Sequence, residues 1–306
     1  MAKRYIIAID LGGTNLKLGL FDLKYKIIAK SILNTRQFRS KDSLILAIVD
    51  AINGFLKSRN LSKQEVLGVG MGLPGPIDVK RGLVHFFPNI PGWKEVNLKS
   101  ILEKKLSLPV FLDNDANLMS LAEYKLGAAK NTTNAICITL GTGVGGGIII
   151  DGKLYRASAF AAGEFGHVPI NESGPQCNCG GIACLETYIG NNRIMALVER
   201  TFGRRISLED LSALAKRKNQ KAVKIWLEVG THLGVALVGV VNMLNPDCIV
   251  IGGGVANAGK ILFDQVKTVI RKRAMLIQAK HVKVFKAKLG YDAGLIGAAI
   301  LVRENI

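Results

Sequence analysis

No apolar run in this 306-residue chain reaches the roughly 20 residues that a membrane span requires. The longest runs, such as Ile148-Ile149-Ile150, are strand-sized. Only Met1-Ala2-Lys3-Arg4 precedes the apolar stretch Tyr5–Ile9, too little for a secretory leader with its cleavage site. A cytoplasmic protein without membrane association is therefore expected. Acidic residues are scarce: 23 stand against 41 Lys and Arg, a formal net charge of +18. That excess would suit nucleic acid, a polyanion or a phosphorylated substrate. The cations are scattered, however, as in Lys24 and Lys26, Lys104 and Lys105, Lys216-Arg217-Lys218 and Arg271-Lys272-Arg273. Most fall on expected helix faces and turns, so a basic solvated surface is the expected reading. The Walker pattern Gly-x4-Gly-Lys-Ser/Thr is missing, which excludes a P-loop. No low-complexity linker interrupts the chain.

Histidines and cysteines are few, four and five, yet they are unevenly placed. Gly163-Glu164-Phe165-Gly166-His167, Cys177-Asn178-Cys179 and Cys184-Leu185-Glu186 put one His, three Cys and two carboxylates within two dozen residues. His167, Cys177, Cys179 and Cys184 supply the number and kind of ligands of a closed, structural Zn²⁺ site. Gly174, Gly180 and Gly181 let the backbone fold tightly there. A disulfide with one spare thiol, or three unrelated cysteines, is the alternative. Clustered thiols in a reducing compartment favour metal. Cys137 and Cys248 sit singly in apolar strands and read as core, and His85, His232 and His281 carry no partner pattern.

Periodicity predicts strands at Tyr5–Asp10, Leu16–Phe21, Ile27–Leu33, Val66–Met71, Pro109–Leu112, Ile136–Leu140, Ile148–Ile150, Cys248–Ile251 and Val282–Phe285. Helices are predicted at 41–57, 98–106, 116–126, 223–244, 261–273 and after Asp292, and 82–96 reads as irregular. Gly72-Leu73-Pro74-Gly75-Pro76 must be a shaped loop. Strand, Gly/Thr turn, strand occurs twice, at Ile9–Leu18 and Ile138–Ile150, which predicts a duplicated α/β fold with two lobes and a cleft. Glycine turns beside Thr hydroxyls expose N–H donors to phosphate oxygens. Because Gly141–Gly147 leads into a strand, it is no dinucleotide fingerprint. With Gly252-Gly253-Gly254, the two hairpins point to a nucleotide.

Taken together, Asp10-Leu-Gly-Gly-Thr-Asn-x-Lys17, Gly72-x-Pro-Gly-Pro76, Asn114-Asp-Ala-Asn117, Leu140-Gly-Thr-Gly-Val-Gly-Gly-Gly147, Glu164-x-Gly-His167 and the Cys cluster resemble the ROK family of sugar kinases, in that family's order from residue 5 to about 300. The resemblance is nearest to its bacterial glucokinases. It implies an actin/hexokinase-like (ribonuclease H-like) two-lobed fold with a duplicated βββαβα-type core. A small lobe of 1–112, completed by 292–306, and a large lobe of 113–291 are expected. It implies Asp115 as general base on a hexose 6-hydroxyl, with Gly75, Asn89, Asn114, Glu164, His167 and Glu186 binding the sugar. Asp10, Gly12, Gly13, Thr14, Lys17, Thr142 and Gly143 would serve phosphate and Mg²⁺, and Gly252, Gly253 and Gly254 the adenosine of ATP. His167 would use one ring nitrogen on zinc and the other toward sugar. A homodimer without specific nucleic-acid binding is expected.

Two departures stand out. Ala157-Ser158-Ala159-Phe160 occupies a stretch where the family usually carries more glycine, and Ala183 stands where Gly is usual. The residues alone also allow Asp113 or Asp115 to be no more than helix caps. Glucose is the expected acceptor; an N-acetylhexosamine, mannose or fructose kinase is the alternative. Polyphosphate as donor and a sugar-sensing regulator are more remote ones, since regulators of the family carry a helix-turn-helix before the first strand.

Overall fold

The computed structural model describes residues 3–38, 40–87 and 92–306, and Arg36 only by its backbone. In chain order, β1 (Tyr5–Leu11), β2 (Asn15–Asp22) and β3 (Ile27–Asn34) lead to α1 (Lys41–Lys57). Then come β4 (Val66–Leu73), β5 (Ile77–Asp78), β6 (Leu83–Phe86), β7 (Lys94–Asn97), α2 (Leu98–Leu106), β8 (Val110–Asn114) and α3 (Asp115–Leu126). β9 (Ala135–Leu140), β10 (Val144–Ile150) and β11 (Lys153–Tyr155) follow. Next are α4 (Glu186–Ile189), α5 (Asn191–Phe202), α6 (Leu208–Lys216) and α7 (Gln220–Leu244). β12 (Cys248–Gly252), α8 (Lys260–Arg273), α9 (Leu276–His281), β13 (Lys283–Lys286) and α10 (Ala293–Glu304) complete the chain.

Residues 1–122, 156–162 and 291–306 form one compact unit, and residues 123–155 and 163–290 a second. The first unit holds a sheet of order β3-β2-β1-β4-β8, and the second repeats it as β11-β10-β9-β12-β13. Each has three antiparallel strands followed by two parallel ones. The duplication expected from the two Gly/Thr hairpins is present strand for strand.

Burial accounts for the elements. β1 is apolar at nearly every position because both faces of the sheet are covered, and Ile6, Ile7, Ala8 and Ile9 are wholly buried. α1 begins at a reciprocal Ser40/Ser43 capping box and buries Leu44, Ile45, Ile48, Val49, Ile52 and Leu56, a single stripe. By length and composition α7 could cross a membrane, contrary to the expectation of no spanning segment. Its buried residues, Ile225, Val229, Leu233, Leu237 and Val241 among them, recur every four residues, and it packs along α8. That is the pattern of an amphipathic core helix.

Within 82–96, expected to be irregular, β6 pairs with both β5 and β7 in a small third sheet. Strands of two to four residues are too short to show alternation, so pairing rather than pattern forms them. The scattered cations lie where expected: Lys104 and Lys105, Lys216, and Arg271-Lys272-Arg273 are exposed in the last turns of α2, α6 and α8. There they meet the negative end of each helix dipole.

Candidate active site

In the first unit the strand register sets one row of residues across the sheet. Lys17 of β2 faces Asp10 of β1, Asp10 faces Gly72 of β4, and Gly72 faces Asp113 of β8. The row lies at the carboxyl ends of the parallel strands, where open α/β sheets bind ligands. Lys17 Nζ donates to the Asp10 carboxylate at 2.8 Å and to the Tyr291 carbonyl at 2.8 Å, and lies 3.6 Å from the centre of the Tyr291 ring. The turn between β1 and β2, which carries Gly12, Gly13 and Thr14, is closed by Gly12 N–H donating to Asn15 O, and Thr35 Oγ1 donates to Gly12 O.

At the end of β8 three consecutive side chains take different tasks. Asp113 is fully buried. Arg156 donates to its Oδ2 through Nε at 2.8 Å and Nη2 at 2.5 Å, while Asn117 Nδ2 and the Asn114 N–H donate to its Oδ1 at 3.0 and 2.8 Å. Asn114 caps α3, its Oδ1 accepting from the N–H groups of Ala116 and Asn117, and its Nδ2 donates to Gly75 O at 3.3 Å. Asp115 opens the helix, with one oxygen accepting from the Ala116 N–H at 2.8 Å. Capping therefore falls mainly to Asn114. Gly75 has φ +92°, and a Cβ there would lie 2.7 Å from Phe86 O, so the loop against Asn114 needs glycine. Asn89 lies outside the described residues.

In the second unit, Gly163-Glu164 leads into a one-turn 3-10 segment, Phe165–His167, lying against β10. The approach is close: a Cβ on Gly163 would stand 2.7 Å from Gly146 O, and one on Gly166 would stand 2.3 Å from Val144 O. Glu164 is exposed at the head of this turn. Glu186 begins α4 and accepts from the Val144 N–H at 2.9 Å, tying it to the turn that carries Thr142 and Gly143. Thr142 is exposed. Gly252 is buried at the end of β12, and Gly253 follows at φ +85° with its α-carbon packed on Leu140. This brings Gly253 and Gly254 beside the 140–143 turn.

All five cysteines are free thiols. His167, Cys177, Cys179 and Cys184 present ligand atoms that all lie within 4.8 Å of one another. Cys179 Sγ and Cys184 Sγ are 3.7 Å apart, too far for a disulfide, and Cys177 Sγ is 3.7 Å from His167 Nδ1. Tetrahedral Zn²⁺ with the usual bond lengths sets ligands about 3.8 Å apart for S–S and about 3.6 Å for S–N. The donor set therefore fits zinc in both number and spacing. Burial, with its neighbours Cys179 and Cys177, pushes the Cys184 thiol up to about 12, so a bound cation is what would make that thiol ionise, whereas a backbone hydrogen bond at Gly181 holds Cys179 below the usual thiol range.

Three residues in the departing stretches take left-handed backbone: Ala157 and Phe160 at φ 56° and Ala183 at φ 54°. These are conformations that glycine adopts at least cost. Phe160 belongs to the first unit, where Lys80 Nζ lies 5.7 Å from its ring centre. Arg156 has no motif to mark it in the sequence; a lone Arg after Tyr155 looks like any surface cation.

Residues 6–305 match the family model described as ROK family. The chain belongs to the ROK family. It is 33% identical to a glucokinase of Halalkalibacterium halodurans, covering all of this chain and 97% of that one. It is 31% identical to a xylose repressor of Caldicellulosiruptor bescii, covering 98% of this chain and 78% of the repressor. Among solved structures, a ROK glucokinase from Streptomyces griseus in complex with glucose and AMPPNP superposes with a TM-score of 0.81 at 32% identity, over 98% of this chain and 99% of that one. The ROK sugar-kinase fold is thereby established, and similarity to glucokinases supports sugar phosphorylation with ATP.

Proposed function

We propose that this ROK protein transfers the γ-phosphoryl group of ATP to the 6-hydroxyl of glucose, with Asp115 as general base. The observation that carries the reading is the β8–α3 corner: Asp115 opens the helix, one of its oxygens accepting the Ala116 N–H, directly after Asp113 and Asn114, whose side chains are held by Arg156, Asn117 and local backbone groups. In phosphoryl transfer the protein positions the reactants, stabilises charge and supplies a carboxylate for the hydroxyl proton. Asp115 takes that proton as the sugar oxygen attacks phosphorus and ADP departs.

Asn114, Glu164, His167 and Glu186 orient the sugar through its other hydroxyls, as do Gly75 and Asn89. Charged acceptors and amides suit this role because a misplaced hydroxyl leaves one of them unpaired. Gly12, Gly13 and Thr14, with Thr142 and Gly143, meet the phosphates, and Gly252–Gly254 meets the adenosine. Asp10, an oxygen donor 15% exposed beside Lys17, is of the kind Mg²⁺ takes directly or through water. Mg²⁺ when bound supplies charge neutralisation on the phosphate oxygens. Zn²⁺ at His167, Cys177, Cys179 and Cys184 is structural, since four protein ligands leave no open position. A zinc bond at Nδ1 leaves His167 Nε2 as the nitrogen available to sugar, with its tautomer set by the metal. The protein acts as a homodimer in this reading.

Glucose is preferred over N-acetylglucosamine. An acetamido group at the 2-position needs a roomy apolar recess, and Phe160 puts a bulky ring four residues before Glu164 in sequence. Excess bulk is rejected steeply, whereas a missing group costs only about 1–3 kcal/mol. Crossing ATP and polyphosphate against glucose, N-acetylglucosamine, mannose and fructose tests donor and acceptor together. The highest kcat/KM belongs to ATP with glucose; a value for N-acetylglucosamine equal to or above that for glucose makes the protein a hexosamine kinase instead.

Similarity to a xylose repressor favours a second reading as a regulator. Scattered cations on helix ends predict against it. Any DNA complex is expected to be weak, indifferent to sequence and lost as salt rises, because phosphate contacts alone would hold it. A sequence-selective complex at physiological salt, seen by gel shift, would establish the regulator.

A further inference from the structure

We propose that Arg156 and Asp113 form a clamp that positions Asn114 and Asp115 for the transfer step; this rests on the general-base reading of Asp115. Both oxygens of the Asp113 carboxylate are engaged, one by a local N–H and a neighbouring amide, the other by a single cation. Oδ1 receives the Asn114 N–H and Asn117 Nδ2, and Oδ2 receives Nε and Nη2 of Arg156. Asp113 thereby fixes the peptide entering Asn114 from behind, while Asn114 fixes the two N–H groups that follow. The residue between these two restraints is Asp115.

Helix capping does not explain the pair, because Asn114 performs it. Stability explains it poorly as well. A buried ion pair is often no better for folding than well-packed apolar groups, whereas here four hydrogen bonds fix the orientation of one carboxylate. Arg156 is also suited to the task by shape: its planar fork places two N–H groups on one carboxylate oxygen, which a lysine ammonium cannot reproduce. Its side chain is 25% exposed while that of Asp113 is 1% exposed. The cation therefore arrives from the solvent side and seals a carboxylate that is otherwise enclosed. Arg156 lies on 156–162, the short stretch of the first unit that runs in sequence straight to Gly163-Glu164. Arg156 touches no reacting atom in this account and is a positioning residue.

The experiment compares Arg156→Ala, Arg156→Lys and the double variant Arg156→Met/Asp113→Asn with Asp115→Asn, in steady-state kinetics with glucose and ATP. A displacement of the base by about 1 Å is worth on the order of 100-fold in rate. The clamp predicts that Arg156→Ala loses about that factor in kcat, with both KM values nearly unchanged. It also predicts that millimolar guanidinium, entering the solvent-open space left by the side chain, restores part of kcat. The double variant, which leaves no orphaned charge, folds with near-parent thermal stability and keeps the kcat defect.

Parent-like kcat in Arg156→Ala or in the double variant overturns the clamp and leaves the base assignment standing, provided Asp115→Asn is inactive. Equal losses in kcat, KM and thermal stability across all Arg156 variants, without guanidinium rescue, reduce the pair to a folding element and overturn it too. An active Asp115→Asn removes the base and the clamp together.

Discussion

Asp115→Asn is expected to lower turnover by two to four decades, about 3–5 kcal/mol of transition-state stabilisation, while glucose still binds. The substitution keeps size and shape, while it removes the charge and the proton affinity and turns one acceptor oxygen into a donor. The local frame survives it, since Asn114 caps α3 and Asp113 is held by Arg156 and Asn117. Loss is thus confined to a step in which the hydroxyl proton must leave. Glucose affinity, read by intrinsic tryptophan fluorescence or calorimetry, should stay near that of the parent. Turnover above about a tenth of the parent value would show that Asp115 is a local structural residue and that no positioned base operates at this corner.

Stripping the metal is the second large effect. Purified active protein should contain close to one zinc per chain. Its removal by a chelator should weaken glucose binding by about 10–100-fold before the fold is lost, the range typical when the support of a metal-bound group is removed. His167 would itself be a ligand and closes the 3-10 turn that Glu164 precedes, while Glu186 follows Cys184 by two residues. The cores of the two sheets are built from other residues, such as Ile7, Leu18 and Val69 in one and Ile136, Ile249 and Val250 in the other. Affinity for ATP should change less than affinity for sugar. Active protein with well under one zinc per chain would defeat the structural-metal account.

Much of the fold was legible because its strands are buried on both faces and punctuated by glycine. β1, β4, β9 and β12 announce themselves as short apolar runs, and their Gly/Thr turns recur in the two halves. The cysteine cluster was legible for a related reason: four soft ligands inside eighteen residues are hard to produce by chance, and their side chains do converge. What stayed hidden depended on partners far away in sequence. β5, β6 and β7 are too brief to carry a pattern and exist through pairing. Arg156 gains its meaning only from Asp113, 43 residues earlier. Glu123 is similar: fully buried, its carboxylate accepts from the N–H groups of Ala128, Lys288 and Leu289, an arrangement no local spacing could suggest. The left-handed backbone at Ala157, Phe160 and Ala183 marks the same limit, since alanine and phenylalanine do not advertise it as glycine would.

The most direct test of the central claim is product analysis. Purified protein incubated with glucose, ATP and Mg²⁺ can be followed by phosphorus NMR and mass spectrometry. The account predicts equimolar glucose 6-phosphate and ADP, formed by the parent and not by Asp115→Asn. Phosphate released to water without a sugar phosphate, a phosphate placed on another hydroxyl, or equal product from both proteins would contradict it.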